Sequence, residues 1–259
     1  MRVFTLLCVL ATSAVAGPLQ AQSAVALPGA GRPSALKIPR IQPLPQDQRT
    51  EVHQQRLAKF PDGPALDRGF DTLLRLPALV DAVMPYTVYL SSQSTLSPRH
   101  RALLTLRAAW LCASEVVWSD RARRARADGL TTQELRRIAE GPDAPGWDRF
   151  EAALLRMTDE LYRNSAVSNA TWATLAASYD QHHLVDAVET VNHFTMLSIM
   201  YNAFGVQPDQ AASDRLPADA PYRVVVPMLE PPLAVARVEP VAGDGIAVGR
   251  TFAQHPALN

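Results

Sequence analysis

The sequence predicts an all-α fold: a compact helical domain over residues 46–208, with extended tails on both sides. Three observations carry this. Between Asp47 and Phe204 apolar residues recur at helical spacing, cap and stop residues punctuate them at short intervals, and no run of alternating strand-type residues occurs before residue 220. Asp47 to Phe60 reads as a polar helix closed by Pro61-Asp62-Gly63-Pro64, and Ala65 to Leu76 as a second, with Leu66, Phe70, Leu73 and Leu74 at helical spacing up to Pro77. Ala78 to Ser91 continues with Leu79, Val80, Val83 and Met84, and Pro85 is expected to kink it. Ser97-Pro98 supplies an N-cap with Pro at the first helical position, and the pattern runs from there to Asp128, stopped by Gly129. Thr131 or Thr132 caps a short helix to Glu140, followed by the loop Gly141 to Gly146. Trp147 to Tyr162 places Phe150, Leu154, Met157 and Leu161 on one face. Ser168 opens a short helix to about Tyr179, and His182 to Phe204 is the longest apolar stretch, ended by Gly205.

The two ends read differently. Arg2, the uncharged stretch Val3 to Ala16 and the small residues Ala14-Val15-Ala16 have the pattern of a signal peptide, taken here as residues 1–21. The stretch is too short to span a membrane, which takes about 20 apolar residues. The expectation is an exported protein, periplasmic or secreted, with no membrane span after the signal is removed. Residues 22–45 form a Pro- and Ala-rich lead-in. Residues 209–259 read as a linker and a possible truncated start of a second domain copy. Ala236-Arg237-Val238-Glu239-Pro240 echoes Pro39-Arg40-Ile41-Gln42-Pro43, and Gly249 to Leu258 echoes Gly69 to Leu79.

Composition narrows the function. With 25 basic and 25 acidic residues the chain has no net charge, which argues against a nucleic-acid partner, since phosphate neutralisation demands a basic excess. A hydrophobic content of 47% is too rich for a disordered chain. Cys8 leaves with the signal, so the mature chain holds Cys112 alone and forms no internal disulfide. Cys112 lies in the apolar run Ala108-Ala109-Trp110-Leu111-Cys112 and reads as a buried structural residue.

Residues 96–147 carry a resemblance. Leu96-Ser97-Pro98-Arg99-His100-Arg101 is followed by Leu106-Arg107-Ala108-Ala109-Trp110-Leu111-Cys112-Ala113-Ser114-Glu115 and then Trp118. Ala125 to Leu130, the Gly141 to Trp147 loop and Asn202-Ala203-Phe204-Gly205-Val206 come after them in order. The arrangement resembles the carboxymuconolactone decarboxylase family, which includes the alkylhydroperoxidase D branch, over roughly residues 40–208. The resemblance implies an all-α fold, helix-mediated homo-oligomers, and either decarboxylation of a lactone acid or thiol-dependent peroxide reduction. The redox branch uses a glutamate, a Cys-x-x-Cys pair and a histidine, which fall here on Ala102, Ser114, Val117 and Arg121. Without a thiolate and a resolving thiol that chemistry has no nucleophile. Two readings stay open: an enzyme acting on a small carboxylated or lactone compound, and a non-catalytic binding or scaffold protein. No cofactor and no metal is expected.

For the first reading, decarboxylation leaves an enolate-like charge that needs a cationic neighbour and a proton donor. The resemblance places the site on the helix carrying Glu115, Trp118 and Arg121. Arg121 would anchor a carboxylate, Trp118 would supply an apolar wall, and Glu115 would donate a proton. The alternative for Glu115 and Arg121 is a structural ion pair. His182, Asp186, Glu189 and His193 share one helical face. That stripe reads as a polar face bordering a cleft or subunit contact rather than a metal site, with His193 as a second candidate acid or base. Asn202 completes the expected ligand contacts. Arg121, Arg123, Arg124 and Arg126 form a basic cluster, read as a solvated face or an interface.

Overall fold

Caps and stops fix most of the helix boundaries where the sequence places them. The computed structural model describes residues 36–59, 68–208 and 214–218, and these contain nine α-helices and no strand. They are α1 Glu51–Lys59, α2 Arg68–Leu73, α3 Pro77–Val88, α4 Pro98–Leu111, α5 Glu115–Ala127, α6 Thr132–Glu140, α7 Arg149–Asn164, α8 Asn169–Ala176 and α9 Gln181–Phe204. Ser97 Oγ accepts the His100 N–H at 3.1 Å. Thr131 and Glu134 form a reciprocal capping box, and Asp148, Ser168 and Asp180 cap α7, α8 and α9. Gly205, at φ 71°, ends α9 in the left-handed region that glycine enters at no steric cost. The proposed signal peptide, the closing loop at 61–64 and the sequence echo at 236–258 lie outside the described residues.

The continuous helix expected from Pro98 to Asp128 is two helices. α4 ends at Leu111, Ala113 takes φ 51°, and two bonds close the turn: Ala113 N–H to Trp110 O at 3.0 Å and Ser114 N–H to Ala109 O at 2.9 Å. This is a Schellman arrangement with alanine in the left-handed position, at a cost of roughly 1–2 kcal/mol relative to a relaxed backbone. No glycine marks it, so the sequence carries no stop signal there. After Pro85, α3 passes into a wider π-type turn at Tyr89–Gln93, which carries Ser91 and Ser92.

α4 is the centre of the domain, with α5, α6, α7 and α9 packed around it. Every residue from Ala102 to Leu111 is buried, not only the expected face of Leu103, Leu106, Trp110 and Leu111. A helix enclosed on all sides cannot be amphipathic. Its one buried charge, Arg107, is matched. The guanidinium meets both oxygens of Asp159 on α7 (2.6 and 3.0 Å) and donates to Ile138 O and Ala139 O at the end of α6 (3.0 and 2.7 Å). A Cβ at Gly141, whose φ is +112°, would stand 2.8 Å from Arg107 Nη2, so both backbone and space require glycine there.

The tails contribute two fasteners. Arg40 N–H donates to Phe204 O at 2.8 Å and Gln207 Nε2 to Leu36 O at 2.6 Å, so residues 36–41 run along the end of α9. Residues 214–218 cross α5: Leu216 is buried in the core, Leu216 N–H donates to Glu115 Oε1 at 3.2 Å, and Asp214 pairs with Arg126 at 2.6 Å.

Candidate functional site

The five residues singled out in the sequence do not meet in one pocket. Glu115, expected as a proton donor, accepts the Leu216 N–H and faces Arg215 at 3.8 Å, so it serves as a post for the 214–218 segment. Trp118 is buried edge-on against Trp110, with ring centroids 6.0 Å apart, and forms core rather than a ligand wall. Asn202 donates to Cys112 O at 2.7 Å and ties α9 to the break between α4 and α5. Glu115 and Asn202 are thereby committed to holding the chain together.

Arg121 and His193 do lie together, on facing sides of α5 and α9. His193 is 2% exposed, with its ring edge-on to Tyr86 and Phe194. Thr87 Oγ1 donates its one proton to Val83 O at 3.0 Å, so the 2.9 Å contact with His193 Nε2 is a bond donated by the imidazole. Nδ1 is then a bare acceptor, buried without a hydrogen-bond partner. Burial, and after it the Arg121 charge, holds His193 down to about 4. It is therefore neutral near pH 7 and not poised to donate a proton there. Two other members of the polar stripe, Asp186 and Glu189, are occupied too. Asp186 accepts Thr95 N–H, Thr95 Oγ1 and Tyr89 OH at 2.7–2.8 Å, and Glu189 accepts Tyr86 OH at 2.5 Å. The stripe thus fastens α9 to the segment 86–95.

The Arg121 guanidinium is buried, stacked over the Phe194 ring at 4.6 Å and paired with Asp120 at 2.9 Å. It also reaches Ser91 Oγ at 3.5 Å, and there it forms part of the wall of a cavity of about 380 Å³ open to solvent. The π-type turn contributes Ser91 and Ser92 to this cavity. α4 contributes Arg101, Ala102 and Thr105, and the end of α5 contributes Arg121, Arg124 and Asp128. Three guanidiniums on one concave surface, with Ser91 Oγ beside Arg121, suit a small anion, whereas Ser92 Oγ and Thr105 Oγ1 donate their protons to Val88 O and Ala102 O. In the sequence Arg124 reads as part of a solvated face or an interface, and Arg101 and Ser91 have no role. The spacing 121, 124, 128 does mark one side of α5, but nothing in it says that this side meets Arg101.

The two cysteine positions of the redox pattern are closed. Ser114 and Val117 are buried, and Cys112 is buried with its thiol pushed up to about 12 by that burial. A thiol held protonated is no nucleophile.

Solved structures place this architecture. The chain carries the alkylhydroperoxidase D-like fold. It superposes on the debrominase Bmp8 in complex with 2,3,4-tribromopyrrole with a TM-score of 0.57 at 12% identity, covering 69% of this chain and 96% of that one. A peroxidase-related protein from Silicibacter sp. TM1040 gives a TM-score of 0.56 at 14% identity, covering 72% of this chain and 97% of that one. An alkylhydroperoxidase AhpD core protein from Ralstonia eutropha JMP134 gives 0.54 at 17%, covering 64% and 87%. No family model and no curated protein matches the sequence. Within this fold the 380 Å³ cavity takes in Ala102 and Arg121, two of the four positions where the redox pattern would fall. No helix among the described residues is long and apolar enough to cross a membrane.

Proposed function

We propose that the protein is a non-redox member of this fold that holds a small carboxylated compound, free or as a lactone acid, in the cavity between α4, α5 and the π-type turn. The observation that carries this reading is the set Arg101, Arg121 and Arg124 on one cavity wall, with the hydroxyl of Ser91 beside Arg121. Guanidiniums bind carboxylates bidentately, and each such pair held partly out of water adds about 1.5–3 kcal/mol. Binding is favoured over turnover because His193 is neutral and lies behind Arg121, Glu115 holds the 214–218 segment, and the carboxyl lining the cavity, Asp128, is exposed. Decarboxylation would have to draw its proton from Asp128 or from water.

Calorimetric titration with benzoate and a panel of small lactone acids tests this reading. Wild type is expected to bind at least one of them, and Arg124→Gln to weaken that ligand about ten-fold, at about 1.4 kcal/mol per decade. A ligand indifferent to both Arg124→Gln and Arg121→Gln would place the binding site elsewhere.

The reading includes export, on the strength of the N-terminal sequence, and self-association. α9 turns Phe194 and Leu197 inward but leaves Val185, Met196 and Ile199 largely exposed. Beside them, between α9 and Leu161 and Tyr162 of α7, runs a groove of about 460 Å³. Apolar surface of this kind favours burial against a second subunit. Light scattering at micromolar concentration is expected to give at least a dimer mass, and Ile199→Glu is expected to lower it. A monomer mass for wild type would refute the oligomer.

A further inference from the structure

Residues 214–218 lie against the outer face of the helix that walls the cavity. A side chain at each end of α5 holds them. Glu115, in the first turn, accepts the Leu216 N–H at 3.2 Å. Arg126, in the last turn, pairs with Asp214 at 2.6 Å and donates to Thr132 Oγ1 at 3.0 Å. Leu216 itself is buried in the core. Glu115 and Arg126 are about three turns apart, so they share one face of α5 with Ser119 and Ala122, both buried. Arg121, Arg124, Ala125 and Asp128 line the cavity from roughly the opposite face. None of Glu115, Arg126, Asp214 and Leu216 lines it. α5 needs such backing, because it does not continue α4. The left-handed Ala113 turns the chain between the two helices, and Ser114, at the N-cap position, makes no side-chain bond to the first turn of α5. A left-handed residue other than glycine persists only where the structure around it holds it. The clasp is small: one buried leucine, one backbone hydrogen bond and one ion pair partly open to water.

We infer that Asp214 and Leu216 are positioning residues of the cavity. By clasping α5 from behind they fix the place of Arg121 and Arg124 on the cavity wall, and so set its affinity for a carboxylate without touching it. This inference rests on the reading of the cavity as a carboxylate site and adds to it the segment that controls it. Linkage makes the effect reciprocal: a carboxylate held in the cavity tightens the clasp by the same factor.

The test is calorimetric titration of the full chain with benzoate and the same lactone acids, below the melting temperature of every variant. Leu216→Ala is expected to weaken the acid that binds wild type about ten-fold. Leu44→Ala is the matched control. It removes an equally buried leucine from the other fastened tail, and is expected to lower the melting temperature by a similar amount while leaving the affinity unchanged. Asp214→Asn separates position from field. Losing a negative charge would by itself tighten an anion, so the expected weakening, about three-fold for a partly exposed pair, reports the lost clasp. Asp214→Glu is expected to keep the wild-type affinity. Hydrogen exchange gives a second readout: the acid is expected to slow exchange of the Leu216 N–H in wild type. An affinity that survives Leu216→Ala, falls equally in Leu44→Ala or does not fall in Asp214→Asn overturns the inference and leaves the carboxylate reading standing, as does a Leu216 N–H indifferent to the acid. If no acid binds wild type, the carboxylate reading fails and takes the inference with it.

Discussion

Replacing Asp159 by Ala is expected to cost about 3–5 kcal/mol of stability, a large share of the roughly 5–15 kcal/mol typical of a domain this size. Both side chains of the Arg107–Asp159 pair are nearly inaccessible, 6% and 7% exposed. Removing the carboxylate leaves Arg107 in the middle of the central helix with only the carbonyls of Ile138 and Ala139 to face. Arg163, which reaches Asp159 Oδ2 at 3.1 Å, loses the same partner but sits nearer solvent. The loss is one of charge balance more than of packing. The double replacement Arg107→Met, Asp159→Leu is therefore expected to recover much of it, since a buried pair exchanged for apolar residues of similar volume is often neutral. Urea unfolding of the wild type, the single and the double variant measures this. A single variant within 1 kcal/mol of wild type would mean that the pair is solvated in a way its burial does not suggest.

Acidification is expected to remove about 3 kcal/mol through His193 alone. The imidazole titrates near 6.5 in an unfolded chain and at about 4 in the fold. Between those values the unfolded state binds the extra proton, so stability rises with pH across this window. The contribution is fully present above about 6.5, falls as pH drops toward 4, and is gone below it. The groups around the ring agree with this sign. Arg121 repels a second positive charge, Tyr86 and Phe194 offer aromatic edges, and Thr87 accepts the one Nε2 proton of the neutral form. His100, lowered by burial, acts in the same direction. Glu134 titrates far lower, at about 2, held there first by the Thr131 N–H and then by Arg99, and so stays outside this window. Comparing urea midpoints at pH 7 and 4.5 for wild type and His193→Gln isolates the residue. The variant should lose most of the pH slope. An unchanged slope would show that His193 protonates inside the folded protein at no cost.

The site residues divide according to what local pattern can encode. Arg121 is legible because the resemblance, carried by short motifs in order along the chain, lays one of its positions on it. Arg124 is legible only as a member of a basic cluster and Arg101 only as the end of the Leu96–Arg101 motif, because the cavity they share is closed by a π-type turn that no residue type announces. Glu115 reads as a proton donor and Asn202 as a ligand contact, and both are taken up by backbone groups: Leu216 N–H, 101 residues distant, and Cys112 O, 90 residues distant. Arg107 offered a signal that went unused. A charge inside the apolar run from Ala102 to Leu111 has to find a counter-charge, although the run cannot say which.

By itself the sequence determined the all-α class, the helix starts at Ser97, Thr131, Ser168 and the long helix ending at Gly205, and the absence of a thiol pair. Each of these depends on residues within a few positions of one another: a side-chain oxygen three residues before the N–H it caps, a glycine able to take positive φ, a cysteine present or missing. Only the tertiary structure decided where α4 ends, which carboxylate answers Arg107, that His193 is neutral, and which arginines share a cavity. Alanine can be pressed into the left-handed turn at Ala113 because the surrounding packing offsets the local cost. A pKa or an ion pair depends on charges and burial supplied by helices far apart in the chain, and that distance is what local pattern cannot span.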